Sequence, residues 1–185
     1  MSSFKRIAIS NRHLCLRPLP RQVLRLSGQV DALILREKDL SEDEYEILAR
    51  RVQEACQAAG IQLICHTFAE AARKIGCGSL HLPLPLLLEK QGELGDFSLI
   101  GASVHSLEEA RLAQQAGANY VTASNIYETG CKAGLPGKGT AFLKEICAET
   151  SMEVFALGGI TDENEGEIRA AGAQGACRMS GYMQL

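Results

Sequence analysis

The stretch that decides the fold is VFALGGIT, residues 154–161. Its apolar half is typical of a buried strand and leads directly into Gly158 and Gly159, after which Thr161 can cap a helix. Paired glycines tolerate positive φ and let a ligand approach the main chain, and a helix N-terminus attracts an anion. The later stretch ACRMSG repeats the pattern and ends in Ser180-Gly181. Neighbouring strand ends of this kind bind phosphate in many (β/α)8 barrels, so we expect a phosphate here; simple turns without a ligand are the alternative.

Short apolar runs alternate with amphipathic stretches along the rest of the chain. The predicted strands are 6–10, 32–35, 62–65, 79–82, 99–103, 120–123, 153–156 and 175–179. Four of the predicted helices begin at a Ser or Thr and end at a glycine: Ser41 to Gly60, Thr67 to Gly76, Ser106 to Gly117 and Thr161 to Gly172. The first three also carry a Glu three residues after the cap, which completes a capping box. Eight strands that alternate with helices favour an α/β fold, a (β/α)8 TIM barrel forming a single domain over residues 1–185.

The outer layer of this barrel is incomplete in the sequence. The helix after the fourth strand is short, near residues 85–90, and the chain ends soon after the eighth strand, so the eighth helix is expected to be missing. A missing outer helix exposes apolar strand faces. We therefore expect a second copy of the chain, in a homodimer, or the N-terminal segment to cover them.

Composition and charge exclude several classes of protein. The formal net charge of −3 and the lack of a basic cluster argue against nucleic acid or an anionic membrane as a partner. No apolar run is long enough to span a bilayer and the start of the chain lacks a signal peptide, so we expect a cytoplasmic protein. The seven cysteines form no C-x-x-C pair and are expected to be reduced and mostly buried. Cys131, in a glycine-rich loop, is either a reactive or a passive thiol.

Several motifs occur in the order seen in one enzyme superfamily. They are LREKD (35–39), SVHSLEEA (103–110), AGANYV (116–121), ALGGI (156–160) and AGA (171–173). On these motifs the chain resembles the thiamine phosphate synthase superfamily, and IYETGCKAGLPGKG (126–139) resembles its TenI branch more specifically. The resemblance covers nearly the whole chain. It implies a TIM barrel of thiamine biosynthesis that binds a thiazole phosphate.

The resemblance to the synthases breaks where they bind magnesium, which neutralises a diphosphate in those enzymes. The family's metal-binding Asp side chains follow strands three and four, where this chain has His66-Thr67 and PLPL (83–86). Neither segment offers the carboxylate oxygens that a hard cation prefers. The glutamine of the family's Gln-x-Arg-x-Lys motif is also replaced, by Ile34. We therefore expect no metal and no cofactor, and synthase activity remains an alternative.

TenI proteins resemble the synthases but act as thiazole tautomerases, which aromatise a carboxythiazole phosphate by a proton shift. The resemblance implies a catalytic histidine where this chain has Asn125, and an amide cannot carry a proton. His105 and His66, each near a strand end, are the substitute candidates, as is a water held by Asn125. His105 has an alternative place beside the cap of its helix, with its ring bonded to backbone. Together with His81 these histidines cluster at one end of the barrel, but their spacing matches no zinc motif.

Three basic residues are candidate substrate ligands. Arg36 and Lys38 lie at the end of the second strand, where we expect them to hold a carboxylate or a phosphate. The alternative is a solvated pair balanced by Glu37 and Asp39. Lys132, in the loop after the sixth strand, either clamps a phosphate when the loop closes or remains in solvent.

The sequence thus predicts a TenI-like protein with a small phosphorylated thiazole ligand. Its predicted catalytic residues are Asn125, His105 and His66. Its predicted substrate-binding residues are Arg36, Lys38, Lys132, Gly158, Gly159, Ser180 and Gly181. The first hypothesis is a tautomerase with an altered acid/base, the second a non-catalytic binding or regulatory relic, and the third a thiamine phosphate synthase.

Overall fold

The chain folds into eight strands, each followed by a helix, over residues 4–128 and 136–185 of a computed structural model. The strands are β1 (Lys5–Ile9), β2 (Ala32–Leu35), β3 (Gln62–His66), β4 (Ser79–Pro83), β5 (Leu99–Val104), β6 (Tyr120–Ser124), β7 (Glu153–Leu157) and β8 (Gly175–Arg178). The helices are α1 (Leu19–Arg25), α2 (Glu42–Ala59), α3 (Ala69–Lys74), α4 (Leu84–Glu89), α5 (Leu107–Gln115), α6 (Gly139–Glu149), α7 (Glu165–Ala170) and α8 (Ser180–Met183). The parallel strands close into a barrel in the order β1 to β8. The predicted (β/α)8 barrel is confirmed.

Every predicted strand lies within one residue of its observed bounds. The reason is that these strands are apolar on both faces, as parallel strands covered by helices must be. All four residues of β2 are buried, and so are all five of β6. In register, Leu33 of β2 lies beside Ala8 of β1 and Leu63 of β3.

Contacts divide the chain into two compact units. One, called here the β1–β4 unit, comprises Arg6–His81, Gly95–Leu99 and Met179–Leu185. The other, called the β5–β8 unit, comprises Met1–Lys5, Leu82–Leu94 and Ile100–Arg178. The single domain over residues 1–185 stays a prediction.

Two of the predicted helix caps are confirmed. Ser41 forms a full capping box with Glu44, and α2 ends at Gly60 in the left-handed conformation. Ser106 accepts a hydrogen bond from the Glu109 N–H at 3.0 Å and so caps α5. The Glu109 carboxylate accepts from the main-chain N–H of His105 rather than from the cap residue.

The other two predicted caps are wrong. The N-cap of α3 is Phe68, because Thr67 adopts a positive φ of 70° and its hydroxyl lies 2.8 Å from His66 Nδ1. Likewise α7 begins only at Glu165, after an Asn164 N-cap. The Thr161 N–H donates to the Asn164 side chain at 2.9 Å, so a turn separates β7 from its helix.

The expectation that the eighth helix is missing is also wrong. A single turn, α8, follows β8 and buries Tyr182 and Met183. Gln22 of α1 donates to the Tyr182 carbonyl at 2.7 Å, which secures this turn within the β1–β4 unit. The short fourth helix is confirmed as α4. The homodimer and the cytoplasmic location stay predictions, and no helix in the described ranges is long and apolar enough to cross a membrane.

Cysteine side chains are mostly enclosed. Those at 56, 65, 77 and 177 are buried and those at 15 and 147 are half-buried, and all of these are free thiols. Burial raises the pKa of Cys56 to about 12 and that of Cys147 to about 11. Cys56 and Cys147 are therefore protonated at neutral pH, whereas the hydrogen bond with Cys65 lowers the pKa of Cys77. Cys131 and Lys132 lie outside the described residues.

The start of the chain joins β8 within the β5–β8 unit. The Lys5 N–H donates to the Gln174 carbonyl at 2.9 Å, and the Lys5 ammonium binds Glu153 at 2.9 Å. Gly175 leaves room for this approach, because a Cβ at Gly175 would lie 2.2 Å from the Lys5 carbonyl oxygen. No side chain fits there without moving the backbone.

We therefore predict that Gly175→Ala destabilises the protein by about 1–3 kcal/mol, since a methyl group is forced against a neighbouring strand. Gly166→Ala is the matched control, because a Cβ at Gly166 meets nothing within 4 Å. It lies in α7, where alanine is the better helix former, so it should be neutral or stabilising by up to about 1 kcal/mol. Urea denaturation measures both. Equal effects of the two substitutions would contradict the packing argument.

Candidate functional site

The end of β2 carries three charged residues in succession, and the middle one is buried. Glu37 is 2% exposed, whereas Arg36 is half-buried and Lys38 is exposed. All three residues follow Leu35, the last residue of β2. That Arg36 and Lys38 point the same way stays a prediction.

The Glu37 carboxylate is held by the chain that follows β1. It accepts hydrogen bonds from the Ser10 hydroxyl at 2.6 Å, from the Arg12 N–H at 3.1 Å and from the Arg12 guanidinium at 3.0 Å. Asp39 binds the same guanidinium through both oxygens, at 2.6 and 2.5 Å. Hydrogen bonds from Arg12 and His13 keep the pKa of Asp39 well below its usual range. Both acids therefore form their ion pairs with Arg12 rather than with Arg36 or Lys38, and the ligand role of the two basic residues stays a prediction.

Two histidines stack at the ends of the next strands. The rings of His66 (β3) and His81 (β4) lie 5.6 Å apart and nearly parallel. Burial lowers the pKa of His66 to about 2, with further contributions from His81, Arg36 and Lys38, and burial lowers the pKa of His81 to about 3. Both rings are neutral at physiological pH, so neither serves as a general acid there.

Tyr45 ties these strand ends together from α2. Its buried hydroxyl donates to the Leu35 carbonyl at 2.7 Å and accepts from the His66 N–H at 2.9 Å. The hydroxyl thus satisfies one backbone group of β2 and one of β3. It fixes the main chain that precedes Arg36 and the main chain of His66.

The result in the β1–β4 unit is a group of basic side chains without a neutralising acid. Burial and the charge of Arg36 lower the pKa of Lys38. Within the part of the chain that the structure describes, no carboxylate forms an ion pair with Arg36 or Lys38. Two uncompensated cations at the C-terminal end of a barrel strand can bind an anion.

In the β5–β8 unit, His105 directly follows β5 and its ring is held by the end of β6. The Nδ1 atom lies 3.1 Å from both the carbonyl oxygen and the hydroxyl of Ser124. A carbonyl only accepts, so this contact assigns the Nδ1 proton and leaves Nε2 as the basic nitrogen. The main chain of His105 is held as well, by Glu109 at its N–H and by the Lys138 ammonium at its carbonyl.

Asn125, the residue after Ser124, is 4% exposed. Its side-chain amide donates to the Tyr127 carbonyl at 3.3 Å, and its main-chain carbonyl accepts from the Lys138 N–H at 3.0 Å. These bonds tie the two ends of the β6–α6 connection to each other. Asn125 therefore lies in a fixed position one residue from the group that holds His105.

The glycine pair after β7 has the backbone that the sequence predicts, with φ of 104° at Gly158 and 65° at Gly159. The space that their side chains would need is filled by protein. A Cβ at Gly158 would lie 2.7 Å from the Asn125 Cβ, and one at Gly159 would lie 2.6 Å from the Glu128 carbonyl. The glycines are thus required by the packing of the β6–α6 segment against this turn. Phosphate binding by them stays a prediction.

Main-chain donors remain at this turn. The N–H groups of Gly159 and Ile160 form no hydrogen bond with any residue in the ranges 4–128 and 136–185. The Asn164 side chain fixes the turn by donating to the Gly159 carbonyl at 2.9 Å. A fixed turn with free N–H groups suits an oxyanion.

The second part of the predicted phosphate site lies in the other unit. Ser180 and Gly181 are exposed and form the first turn of α8 rather than a loop. A Cβ at Gly181 would meet nothing within 4 Å, so packing does not require glycine there. Their role as ligands stays a prediction.

Sequence reasoning missed the residues that hold the site in place. Glu37, Arg12 and Ser10 were not recognised, because a charged residue is normally assigned to the surface. The available signal was the position of Glu37 between two residues assigned to the ligand, since alternation then turns Glu37 away from it. Arg178 was also missed; it binds Asp162 at 2.7 Å and the buried Glu165 at 3.2 Å.

Comparison with known proteins assigns the family. A model of the thiamine monophosphate synthase family matches residues 7–182. The chain belongs to this family. The thiamine-phosphate synthase of Syntrophomonas wolfei is 32% identical over 164 residues, covering 85% of this chain and 77% of its own. That of Fusobacterium nucleatum is 31% identical over 160 residues, covering 85% and 78%.

Two solved structures share the fold. The thiamine phosphate pyrophosphorylase from Pyrococcus furiosus superposes with a TM-score of 0.85 and 25% identity, covering 100% of this chain and 89% of that one. FabK from Thermotoga maritima superposes with a TM-score of 0.74 at 14% identity, covering 97% and 58%, and shares the fold alone. The fold and the link to thiamine biosynthesis are thereby established, and the TenI branch is not distinguished from the synthases.

The buried histidines predict how the stability depends on pH. Below the ordinary histidine pKa of 6.5, the unfolded chain binds protons at His66 and His81 that the native protein excludes down to about pH 3. Stability therefore falls as the pH is lowered through this window, by up to about 1.4 kcal/mol per pH unit for each ring. His66→Gln removes one ring, so its free energy of unfolding should fall less steeply than that of the wild type between pH 6.5 and 4.5.

His81→Gln removes the other buried ring and should flatten the slope in the same way. Urea denaturation at several pH values gives the slopes. A His66→Gln slope equal to that of the wild type would show that the ring is not excluded from protonation in the native state.

Proposed function

We propose that the protein binds a carboxythiazole phosphate and catalyses the proton shift that aromatises it, with His105 as the acid/base. The observation that carries the proposal is the placement of the His105 ring on Ser124, one residue before Asn125. A ring held at this point can take over the proton transfer that Asn125 cannot perform.

The hydrogen bonds of His105 suit this role. With the Nδ1 proton directed at the Ser124 carbonyl, the Nε2 nitrogen is free to remove a proton from one carbon and return it to another. The shift is an isomerisation, so one group that takes and gives back a proton is sufficient. Glu109 and Lys138 fix the main chain on both sides of the ring, which orients it before substrate binds.

His66 is a weaker candidate for the same step. Its pKa of about 2 makes it too weak a base to hold a proton at neutral pH. A neutral, buried imidazole can still donate or accept a hydrogen bond. We assign His66 to that role, and Asn125 to binding substrate or an ordered water.

Two groups are proposed to bind the charges of the substrate. The N–H groups of Gly159 and Ile160 are proposed to bind the phosphate. Arg36 and Lys38, whose neighbouring acids form their ion pairs with Arg12, are proposed to bind the carboxylate. Ser180, Gly181 and Lys132 remain proposed phosphate ligands from the sequence.

Thiamine phosphate synthesis is the second candidate, and the similarity to thiamine-phosphate synthases favours it. The resemblance implies carboxylates after β3 and β4, where this chain has the neutral His66, the strained Thr67 and the Pro83 cap of α4. These residues suit a hard cation poorly. We therefore rank this reaction below the proton shift.

The decisive experiment incubates the protein with the non-aromatic carboxythiazole phosphate and follows aromatisation by absorbance. Acceleration over buffer is the expected result. Binding without acceleration would contradict the proposed catalysis and favour a binding relic. A parallel assay of thiamine phosphate formation with magnesium should show no turnover, and robust turnover there would favour the second candidate.

His105→Asn should lower the aromatisation rate by about 100-fold or more, since general acid–base catalysis contributes roughly that factor. His13→Asn is the matched control and should keep the rate of the wild type, because His13 is exposed and bonds to Asp39. Steady-state kinetics with both variants separates a loss of kcat from a loss of binding. An unchanged kcat in His105→Asn would exclude His105 as the proton carrier.

Asn125→His should raise the rate, since it restores an imidazole where the TenI resemblance implies one. The change keeps the Cβ that packs near Gly158. Asn125→Gln is the control, because it adds length without a titratable group. If Asn125→His and Asn125→Gln have the same rate, the position has no part in the proton shift.

A further inference from the structure

We infer that Glu37 is a positioning residue. It holds the chain segment that carries Arg36 and Lys38 so that both side chains can bind an anionic ligand. Its ion pair with Arg12, which Asp39 shares, keeps these carboxylates from pairing with Arg36 and Lys38. The inference rests on the proposed function, since it concerns the residues to which the carboxylate is assigned. It adds a role for a buried carboxylate that does not itself touch the ligand.

The first part of the argument is geometric. Glu37 is 2% exposed and accepts three hydrogen bonds, so its side chain has one available direction. The Ser10 hydroxyl donates to Glu37 and also accepts from the Arg36 N–H at 2.8 Å. Ser10 therefore couples the carboxylate directly to the main chain of Arg36. With Glu37 and the Arg36 N–H both bound, the main chain between Arg36 and Lys38 is held in place, and with it the points from which the two basic side chains extend.

The second part concerns charge. Two carboxylates, Glu37 and Asp39, lie within three residues of Arg36 and Lys38 along the chain and would be natural ion-pair partners for them. The Arg12 guanidinium binds both acids instead, at 3.0 Å and at 2.5 Å. His13 adds a contact to Asp39 at 3.0 Å. Arg36 and Lys38 keep their charges for a ligand as a result.

The two explanations of Glu37 predict opposite signs. Glu37→Gln removes a negative charge beside a cationic group, and a purely electrostatic role would then tighten the binding of an anion. A positioning role predicts weaker binding, because the amide loses its charge-assisted bond to Arg12 and holds the chain after β2 less firmly. The sign of the change in affinity therefore distinguishes a positioning role from a purely electrostatic one.

The experiment titrates the ¹⁵N-labelled full chain with thiazole-4-carboxylate by NMR, at constant ionic strength. Arg36→Gln tests whether Arg36 binds the carboxylate of the probe, and it should weaken binding at least tenfold. Glu37→Gln should weaken it about tenfold, a loss comparable to one charge-assisted hydrogen bond. Ser10→Ala should weaken it several-fold without any change of charge.

Glu46→Gln is the matched control for charge, because Glu46 lies on α2 and binds Arg50 and Lys74 instead. It should leave the dissociation constant within twofold of the wild type. Thermal melts confirm that each variant is folded. If Glu37→Gln does not fold, Ser10→Ala decides the question, since it keeps every charge.

The outcomes distinguish the inference from the proposed function. If the wild type does not bind the probe, or Arg36→Gln binds it as tightly as the wild type does, the proposed binding of the carboxylate by Arg36 and Lys38 is wrong. This inference is then wrong as well. If Arg36→Gln loses binding while Glu37→Gln and Ser10→Ala keep or improve it, the proposed binding of the carboxylate is supported and the positioning role is overturned. Weakening by both substitutions, with Glu46→Gln unchanged, supports the positioning role.

Discussion

A buried carboxylate has lost the water molecules that hydrate it, so it needs hydrogen bonds and an opposite charge from the protein. The end of β2 is organised around this requirement. Glu37 receives its compensation from Ser10 and Arg12, both of which follow β1. The link between these two strand ends therefore goes through a charge as well as through backbone pairing. The direction of Arg36, the free charge of Lys38 and the path of the chain after β1 all depend on this one buried group.

The histidines of the chain fall into two physical classes. His66 and His81 are buried beside each other and near two cations, so protonation is disfavoured and they act as neutral polar groups. His105 is exposed, and its hydrogen bonds direct one nitrogen at a carbonyl. Residue type alone does not distinguish a proton carrier from a packed ring. The environment of each ring does, and it is the basis of our proposal that His105 carries the proton.

The fold could be predicted closely because its signals are local. Apolar runs bounded by glycines fix the strands, and the Ser41 and Ser106 caps depend on bonds within one turn of helix. Thr67 failed as a cap because of a contact distant along the chain, and Thr161 because a neighbouring side chain binds its N–H in a turn before the helix. The Thr67 N–H bonds to the His81 carbonyl at 3.0 Å, and the Thr161 N–H bonds to Asn164.

The site could be predicted only in part, for the same reason. The sequence places Arg36, Lys38 and His105 at strand ends, where the structure also places them. It does not show that the space beside Gly158 is occupied by Asn125, nor that Glu37 is buried. Both facts depend on neighbours distant along the chain, and a single sequence carries no record of those neighbours.

The alkylation of a buried cysteine can report when the structure around it opens. A reagent that alkylates cysteine should reach Cys65 only when the β1–β4 unit opens, and Cys177 only when the β5–β8 unit does, since both side chains are almost fully buried. Labelling rates resolved by peptide mass would therefore compare the two units without any introduced probe. Different rates for the two cysteines would mean that one unit opens while the other keeps its structure.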